Sequence, residues 1–227
     1  TPPAIQYATI GTYDVTLEVT NSQSVQTILK PDHIVVVATP YGEWIPQVSG
    51  FNTPSVGVNF ISIVDSNTVW ATAYDGGGVG NLQLFTKTAN GGNTWTPGTV
   101  DMQNTSLGLS MIDGIDNSTA WAVGYPTGAG QTGGIWKTTD GGGNWTRQNS
   151  ATFNNAASFA NVVHFWNANE GFCQGDPING EFELYTTTDG GTNWTTVPGA
   201  NIPNPENANE FGYVRQIEVV GDNVWYT

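Results

Sequence analysis

Four carboxylates at predicted loop positions could act on a ligand. They are Asp75, Asp176, Glu181 and Glu183. Retaining and inverting glycoside hydrolysis both need two carboxyl groups about 5 to 10 Å apart with separated pKa values. Carboxylates in an acidic chain are also common as solvated surface groups. The sequence therefore allows hydrolysis without requiring it, and we assign no catalytic residue.

Nucleophilic and metal chemistry lack the residues that they need. The two histidines are His33 and His164, and neither accompanies a Ser or Cys nucleophile motif. The single cysteine, Cys173, aligns with Ala71 and Ala122 in the repeat described below, which predicts a small core residue. No spacing of His, Cys and carboxylate residues predicts a zinc site.

Three Gly-rich insertions interrupt the repeat at residues 74–80, 125–134 and 176–180. Each joins the second predicted strand of a unit to the third, so we expect them side by side on one face. Aromatic rings stack on sugars, and acids accept hydrogen bonds from hydroxyl groups. The predicted ligand-binding residues are Tyr74, Asp75, Tyr125 and Asp176. The alternative is that these segments are long flexible loops without a ligand.

A repeat sets the elements that must position these loops. The runs TANGGNTW, TTDGGGNW and TTDGGTNW occupy residues 88–95, 138–145 and 187–194, and we call them the box turns. Their tryptophans are 50 and 49 residues apart. A period near fifty, with a polar Gly turn and an aromatic residue in each copy, is typical of four-stranded blades arranged radially.

Each unit contains an apolar strand, an Asp/Asn turn, a small-residue strand, a Gly-rich loop, a third strand, the box turn and an edge strand. No stretch has a helical period. The predicted fold is all-β, with about three and a half blades of a partial β-propeller in residues 39–227. The predicted blades are 58–99, 108–149 and 160–198, followed by the start of another at 212–227.

The same alignment makes two further predictions. Phe85, Trp136 and Tyr185 are predicted to be equivalent residues of the third strands. Residues 41–48 are predicted to be an isolated edge strand, because Trp44 precedes Trp95 by 51 residues. A closed propeller would need about 300 to 400 residues, so we expect this chain to be a fragment.

The second and third box turns resemble the BNR or Asp-box repeat, Ser/Thr-x-Asp-x-Gly-x-x-Trp, whereas the first has Asn90 at the Asp position. The resemblance implies a structural hairpin on the rim of each blade. Such a carboxylate or amide can accept hydrogen bonds from nearby N–H groups, and Gly can adopt positive φ. The residues with an implied structural role are Asn90, Gly92, Trp95, Asp140, Gly142, Trp145, Asp189, Gly191 and Trp194.

The Asp-box resemblance implies several possible activities. Sialidases grip a substrate carboxylate with three arginines, but this chain has only Arg147 and Arg215, which excludes such a site from these residues alone. Other members, such as xyloglucanases, use paired carboxylates. Helper propellers, including a photosystem assembly factor, are expected to dock through basic patches, which five basic residues in 227 disfavour.

Residues 1–38 do not follow the repeat. Alternation of Tyr13, Val15, Leu17 and Val19 predicts a half-buried strand. The run GTYDVTLEVTN resembles the end of a PKD domain, an immunoglobulin-like module, which implies a two-strand remnant that cannot bury a core alone. Together with the repeat, it resembles secreted surface proteins of Bacteroidetes-type bacteria.

Charge limits the partners of the chain. Five Lys and Arg residues stand against 19 Asp and Glu residues, for a net charge of −14, which disfavours nucleic acid and anionic membranes. No apolar run approaches the roughly 20 residues of a membrane helix, and no signal peptide is visible. Cations such as Ca²⁺ would be tolerated, but no EF-hand-like run occurs, so we expect no cofactor and no metal site.

The sequence thus predicts a non-catalytic recognition or adhesion module, located outside the cell or on its surface. Its expected ligand is carbohydrate or another surface protein, and exposed strand edges offer a route to self-association. The alternative is a fragment of a secreted glycoside hydrolase with an Asp-box propeller.

Overall fold

The computed structural model describes residues 7, 9–37, 44–78, 80–207 and 209–226. Across these residues the regular elements are sixteen β-strands and one short 3₁₀ helix, Gly199–Asn201. This part of the chain has no helix long and apolar enough to cross a bilayer. Contacts divide the chain into two units, Thr1–Pro46 and Gln47–Thr227.

The first unit is a two-stranded antiparallel sheet of β1 (Gly11–Thr20) and β2 (Val25–Val36). A bulge follows Tyr13, and the Asp14 carboxylate there accepts the N–H of Asp32 at 2.8 Å. The predicted strand is present, but Leu17 and Val19 are both 58% exposed. The PKD assignment and the boundary after residue 38 stay predictions.

The second unit begins with three four-stranded antiparallel sheets, each running in chain order. The first sheet consists of β3 (Val56–Ile63), β4 (Thr68–Asp75), β5 (Leu84–Ala89) and β6 (Thr96–Thr99). The second consists of β7 (Gly108–Gly114), β8 (Ala120–Tyr125), β9 (Gly134–Thr138) and β10 (Thr146–Arg147). The third consists of β11 (Ala160–Phe165), β12 (Gly171–Ile178), β13 (Glu181–Thr187) and β14 (Thr195–Thr196). A two-stranded sheet of β15 (Ile217–Val220) and β16 (Asn223–Tyr226) follows.

Consecutive sheets pack face to face through their first strands. Strand β7 contacts β3 and β4 of the preceding sheet, and β11 contacts β7, β8 and β9. The first strands therefore lie inside, and the short fourth strands form the outer edges. This arrangement confirms the prediction of an all-β chain and a partial β-propeller.

The second strand of each sheet carries a small residue in the core. Ala71, Ala122 and Cys173 are fully buried and occupy the same register position. Burial raises the pKa of the Cys173 thiol well above its usual range, so this cysteine is a packing residue.

Strand pairing corrects the predicted equivalence of Phe85, Trp136 and Tyr185. Trp136 and Tyr185 lie opposite the small residues of their second strands, but in the first sheet that position belongs to Thr86. Phe85 lies one residue earlier and faces the opposite side, where its ring is 5.8 Å from that of Trp145. The prediction was wrong because the first copy has one more residue between the aromatic residue and the box Thr.

The polar side chains of each box turn form hydrogen bonds within the turn itself. In the second turn, Thr138 Oγ1 accepts the N–H of Gly142 and donates to Asp140 Oδ1, both at 2.9 Å. Asp140 also accepts the backbone N–H and the side-chain amide of Asn144. The third turn repeats this pattern around Asp189, and in the first turn the Asn90 amide oxygen accepts the N–H of Thr94.

The glycines of the box turns pack against the preceding sheet. Gly142 has φ of 92°, and any side chain there would overlap the ring of Phe85. Gly191 has φ of 87° and lies against Gln148 and Trp121. Positive φ and close approach both favour glycine at these positions.

The predicted edge strand at 41–48 is only partly within the described residues. Residues 41–43 lie outside the described residues, and residues 44–48 form no strand. Strand pairing needs a neighbour, and none of the described strands pairs with this segment. Gln47 instead accepts a hydrogen bond from Trp95 Nε1 at 2.8 Å, and Gln148, its equivalent in the repeat, lies at the third box turn.

We predict that Asp140 in the second box turn makes the free energy of unfolding depend on pH. Hydrogen bonds from the Asn144 side chain and backbone lower the pKa of Asp140 from 3.8 to about 2. A lowered pKa in the folded state contributes stability above pH 4 that is lost as the pH falls towards 2. In urea unfolding between pH 4 and pH 2, we expect Asp140→Asn to reduce the slope of the unfolding free energy against pH.

The first box turn provides the control, because it already uses Asn90 together with Thr94. The double variant Asp140→Asn/Asn144→Thr reproduces that pairing and should fold with the reduced slope. An unchanged slope in both variants would show that Asp140 does not contribute to acid sensitivity.

Candidate functional site

A cavity of about 320 Å³ opens where the Gly-rich insertions of the first two sheets meet. Tyr74, Asp75 and Tyr125 line it, together with Asn59 and Arg215. We call it the loop-face cavity. The structure thus brings together three of the four residues predicted to bind a ligand.

Glycines in the neighbouring strands hold the two tyrosines in place. Tyr74 pairs with Gly57 and Tyr125 with Gly108, and a side chain at either glycine would overlap the tyrosine ring. The Tyr125 ring also stacks on Phe159, with centroids 5.0 Å apart. Tyr74 is 50% exposed and presents its ring to solvent. The first strands therefore fix the aromatic wall of the cavity from beneath.

The cavity has one carboxylate and one guanidinium group. Asp75 Oδ1 accepts the N–H of Gly77 at 2.8 Å, which orders the start of the first insertion. Arg215 has φ of 68°, and its side chain comes from the segment before β15. Donors and acceptors of both charge types therefore face the same space as the aromatic rings.

The fourth predicted residue, Asp176, does not line the loop-face cavity. Its Oδ1 accepts the side-chain amide of Asn161 at 2.7 Å and the N–H of Gly212 at 3.1 Å. Burial raises the pKa of Asp176, and these two hydrogen bonds only partly offset that effect. Because Gly212 lies three residues before Arg215, we interpret Asp176 as a positioning residue for the segment that reaches the cavity.

Three of the four carboxylates considered for hydrolysis, Asp176, Glu181 and Glu183, lie in the third sheet. Burial raises the pKa of Glu183, and the charge of Asp176 adds to this, while Tyr185 donates a hydrogen bond to Glu183 at 3.2 Å. Glu181 lies against Gly199. Of the four carboxylates considered for hydrolysis, only Asp75 lines the loop-face cavity. In the described part of the chain, no group of three or more His, Cys, Asp or Glu residues could hold a metal ion.

Arg147 and the two histidines lie outside the loop-face cavity. Arg147 lies on the outer strand β10, donates to the carbonyls of Gly133 and Thr152, and covers the ring of Trp136. Its burial lowers its pKa. His164 lies 3.3 Å from the carboxylate of Asp113. His33 is exposed on β2 in the first unit.

Sequence reasoning missed Arg215 as a site residue. The repeat offered a signal, because Arg215 precedes Ile217 by two residues, as Asn59 precedes Ile61. Ser110 and Asn161 occupy the same position, and three of these four positions fall at register shifts of the first strands. A bulge re-aims a side chain, so this polar position can reach the loop face.

Comparison with known proteins gives only remote structural similarity. No family model matches the sequence, and no curated protein matches it. YCF48 from Cyanidioschyzon merolae is similar with 20% identity and a TM-score of 0.49, covering 75% of this chain and 49% of that chain. A structure of YCF48 bound to D1 peptide has 20% identity and a TM-score of 0.44, with 63% and 40% covered. The GH74 xyloglucanase from Xanthomonas campestris has 16% identity and a TM-score of 0.46, with 63% and 21% covered.

This chain spans less than half the length of each of these structures. At this level of similarity, their ligands and activities carry no inference for this chain.

Asp176 predicts a second pH effect, of opposite sign to that of Asp140. In the folded protein the pKa of Asp176 lies above 3.8, the ordinary value for an aspartate side chain. The stability that Asp176 contributes is therefore present at low pH and is lost as the pH rises through the folded-state pKa. We expect Asp176→Asn to unfold at higher urea concentration than the wild type at pH 7, and to lose this advantage at pH 3.

Glu218→Gln is the control, because Glu218 is an exposed carboxylate on β15. It should leave the urea midpoint unchanged. A lower midpoint for Asp176→Asn at pH 7 would mean that the charge on Asp176 stabilises the fold.

Proposed function

We propose that this chain is a non-catalytic recognition module of a secreted or cell-surface protein. Its ligand is carbohydrate or another surface protein, and the loop-face cavity is the binding site. The observation that carries the proposal is the convergence of Tyr74, Asp75 and Tyr125 in one cavity.

The composition of the cavity suits a sugar. The exposed face of Tyr74 offers a stacking surface, and the fixed Tyr125 ring bounds the cavity. Asp75 supplies acceptor oxygens for sugar hydroxyls, and the Arg215 guanidinium supplies donors. Because glycines hold both tyrosines in position, binding requires little ordering of the aromatic wall.

A glycoside hydrolase is the second candidate. The raised pKa values of Asp176 and Glu183 favour it, since a general acid needs a carboxyl group that stays protonated. Against it, both carboxylates are engaged by protein hydrogen bonds and lie outside the loop-face cavity.

A glycan array tests the proposal, with Tyr74→Ala as the diagnostic variant. Loss of a stacked ring should weaken binding to the best glycan about 3- to 10-fold, because aromatic contacts of this kind contribute about 0.5 to 1.5 kcal/mol. Tyr74→Phe should retain most of the affinity if stacking dominates.

Trp225→Ala is the matched control, because Trp225 is 58% exposed and does not line the cavity. It should bind as the wild type does. Equal losses for both alanine variants would contradict the assignment of the cavity. Release of reducing sugar that is lost in Glu183→Gln would instead establish the hydrolase.

A further inference from the structure

The loop-face cavity contains a cation in a chain that has few of them. Of the five basic residues, Lys87, Lys137 and Arg147 donate hydrogen bonds to backbone carbonyls of the protein. Lys30 lies on β2 in the first unit. Arg215 is the basic residue among the described residues that line the cavity. Its guanidinium group therefore determines which charge on a ligand this part of the cavity favours.

The cavity lies at the junction of the first two sheets, and each of these sheets has four hydrogen-bonded strands. Tyr74 and Asp75 are the last residues of β4, and Tyr125 is the last residue of β8. Arg215 lies two residues before β15. Two rings, a carboxylate and a guanidinium group from three segments of the second unit thus line one space.

Several contacts fix the backbone that carries Arg215. Gly212 donates its N–H to Asp176 at 3.1 Å, and a side chain at Gly212 would overlap the side-chain amide of Asn161. Arg215 has φ of 68°, and its carbonyl accepts the N–H of Ile217 at 3.2 Å. A left-handed backbone is unfavourable for a residue with a side chain and persists where the surrounding structure determines it. The fold therefore fixes the point from which the guanidinium group extends.

The first three sheets have neutral residues at the position equivalent to Arg215. They are Asn59, Ser110 and Asn161. Ser110 Oγ donates to the carbonyl of Asn161 at 2.7 Å, and the Asn161 side-chain amide donates to Asp176. Three sheets thus fold with a neutral residue here, so their packing does not require a cation. A ligand with a negative charge gives the guanidinium group of the fourth sheet a role.

We propose that the loop-face cavity binds a sugar that carries a carboxylate, a uronic acid, and that Arg215 determines this specificity. The assignment rests on the proposed function and narrows its ligand to one class. A guanidinium group binds a carboxylate through two parallel hydrogen bonds. Asp75 accepts hydrogen bonds from the ring hydroxyls, and the exposed ring of Tyr74 stacks on the apolar face of the sugar.

A uronic acid matches both charged residues of the cavity at once. A neutral sugar offers hydroxyls to Asp75 but no ionic partner to Arg215. An acidic peptide offers a carboxylate to Arg215, but it has neither the row of hydroxyls that suits Asp75 nor the ring face that suits Tyr74. The sugar acid is therefore the favoured ligand, and the acidic peptide is an outcome of the test.

Trigalacturonate and its methyl ester are the matched probes. The ester keeps the rings, the linkages and the hydroxyls, adds a methyl group to each carboxyl and removes its charge. Calorimetric titration is done at pH 6 and about 0.15 M salt, where a Debye length of about 8 Å screens most of the repulsion from the acidic surface. We expect the acid to bind about tenfold tighter than the ester, because hydrogen bonds to charged groups are stronger than those to neutral groups.

Arg215→Gln is the diagnostic variant, because it removes the charge and keeps a polar side chain on the same backbone. It should reduce the ratio of the acid and ester affinities from about ten to about one. An unchanged urea midpoint shows that this variant is folded. Arg215→Lys keeps the charge without the planar fork and should give an intermediate ratio. Lys30→Gln removes the same charge at an exposed position of β2 and should bind both probes as the wild type does.

Equal affinities of the wild type for acid and ester, or no binding of the acid at millimolar concentration, would overturn the proposal. An unchanged ratio in Arg215→Gln would also overturn it. The same conclusion follows if the capped tripeptide acetyl-Gly-Asp-Gly-amide binds as tightly as trigalacturonate and displaces it, because the ligand class would then be protein. If Tyr74→Ala still weakens binding of the best glycan on the array, the proposed function stands and only the acidic ligand class fails.

Discussion

The stability of the second unit depends on how consecutive sheets bury aromatic side chains. An aromatic residue of one sheet is covered by the sheet that follows it. Trp70 and Trp121 are fully buried, although they belong to sheets that cannot cover them alone. The Trp121 ring stacks on Phe165 of the following sheet, with centroids 3.4 Å apart. Each sheet is apolar on both faces, so its stability depends on its neighbours, as in other repeat architectures. This constraint explains why the box turns are polar and rich in glycine: they must approach the preceding sheet closely while satisfying their own backbone.

The box turns and the insertions have different roles. Asp140 and Asp189 form their hydrogen bonds within their own turns, which leaves the motif without a free carboxylate for chemistry. The insertions lie at the opposite ends of the second strands. They bring Tyr74, Asp75 and Tyr125 into one cavity without altering the junctions. Loops on a rigid scaffold are where binding residues are usually found.

Much of the fold was predictable because the repeat imposes the same packing problem three times. The spacing of the box tryptophans predicted the sheets, and the alignment of Cys173 with Ala71 and Ala122 holds in the strand pairing.

The register of Phe85 was not predictable from spacing, since one added residue moves a side chain to the other face of a strand. Of the isolated edge strand predicted at 41–48, the described residues 44–48 form no strand, because a strand needs a hydrogen-bonded neighbour. Similarly, Asp176 shares an insertion pattern with Asp75, but its contact with Gly212 comes from a distant segment. The bulge at Asn59 leaves only a polar residue as its trace in the sequence, and the equivalent residue Arg215 lies just before β15.

The box turns act as scaffold, and the loop face is where the chain can adapt. Amide hydrogen exchange at single residues tests it most directly. The N–H groups of Gly142 and Gly191 are bonded to threonine hydroxyls within the turns, whereas that of Gly77 is bonded to Asp75 on the loop face. We expect Gly142 and Gly191 to exchange as slowly as the amides of β8 and β12, and Gly77 to exchange much faster. Exchange of the two box-turn amides at the rate of Gly77 would contradict it.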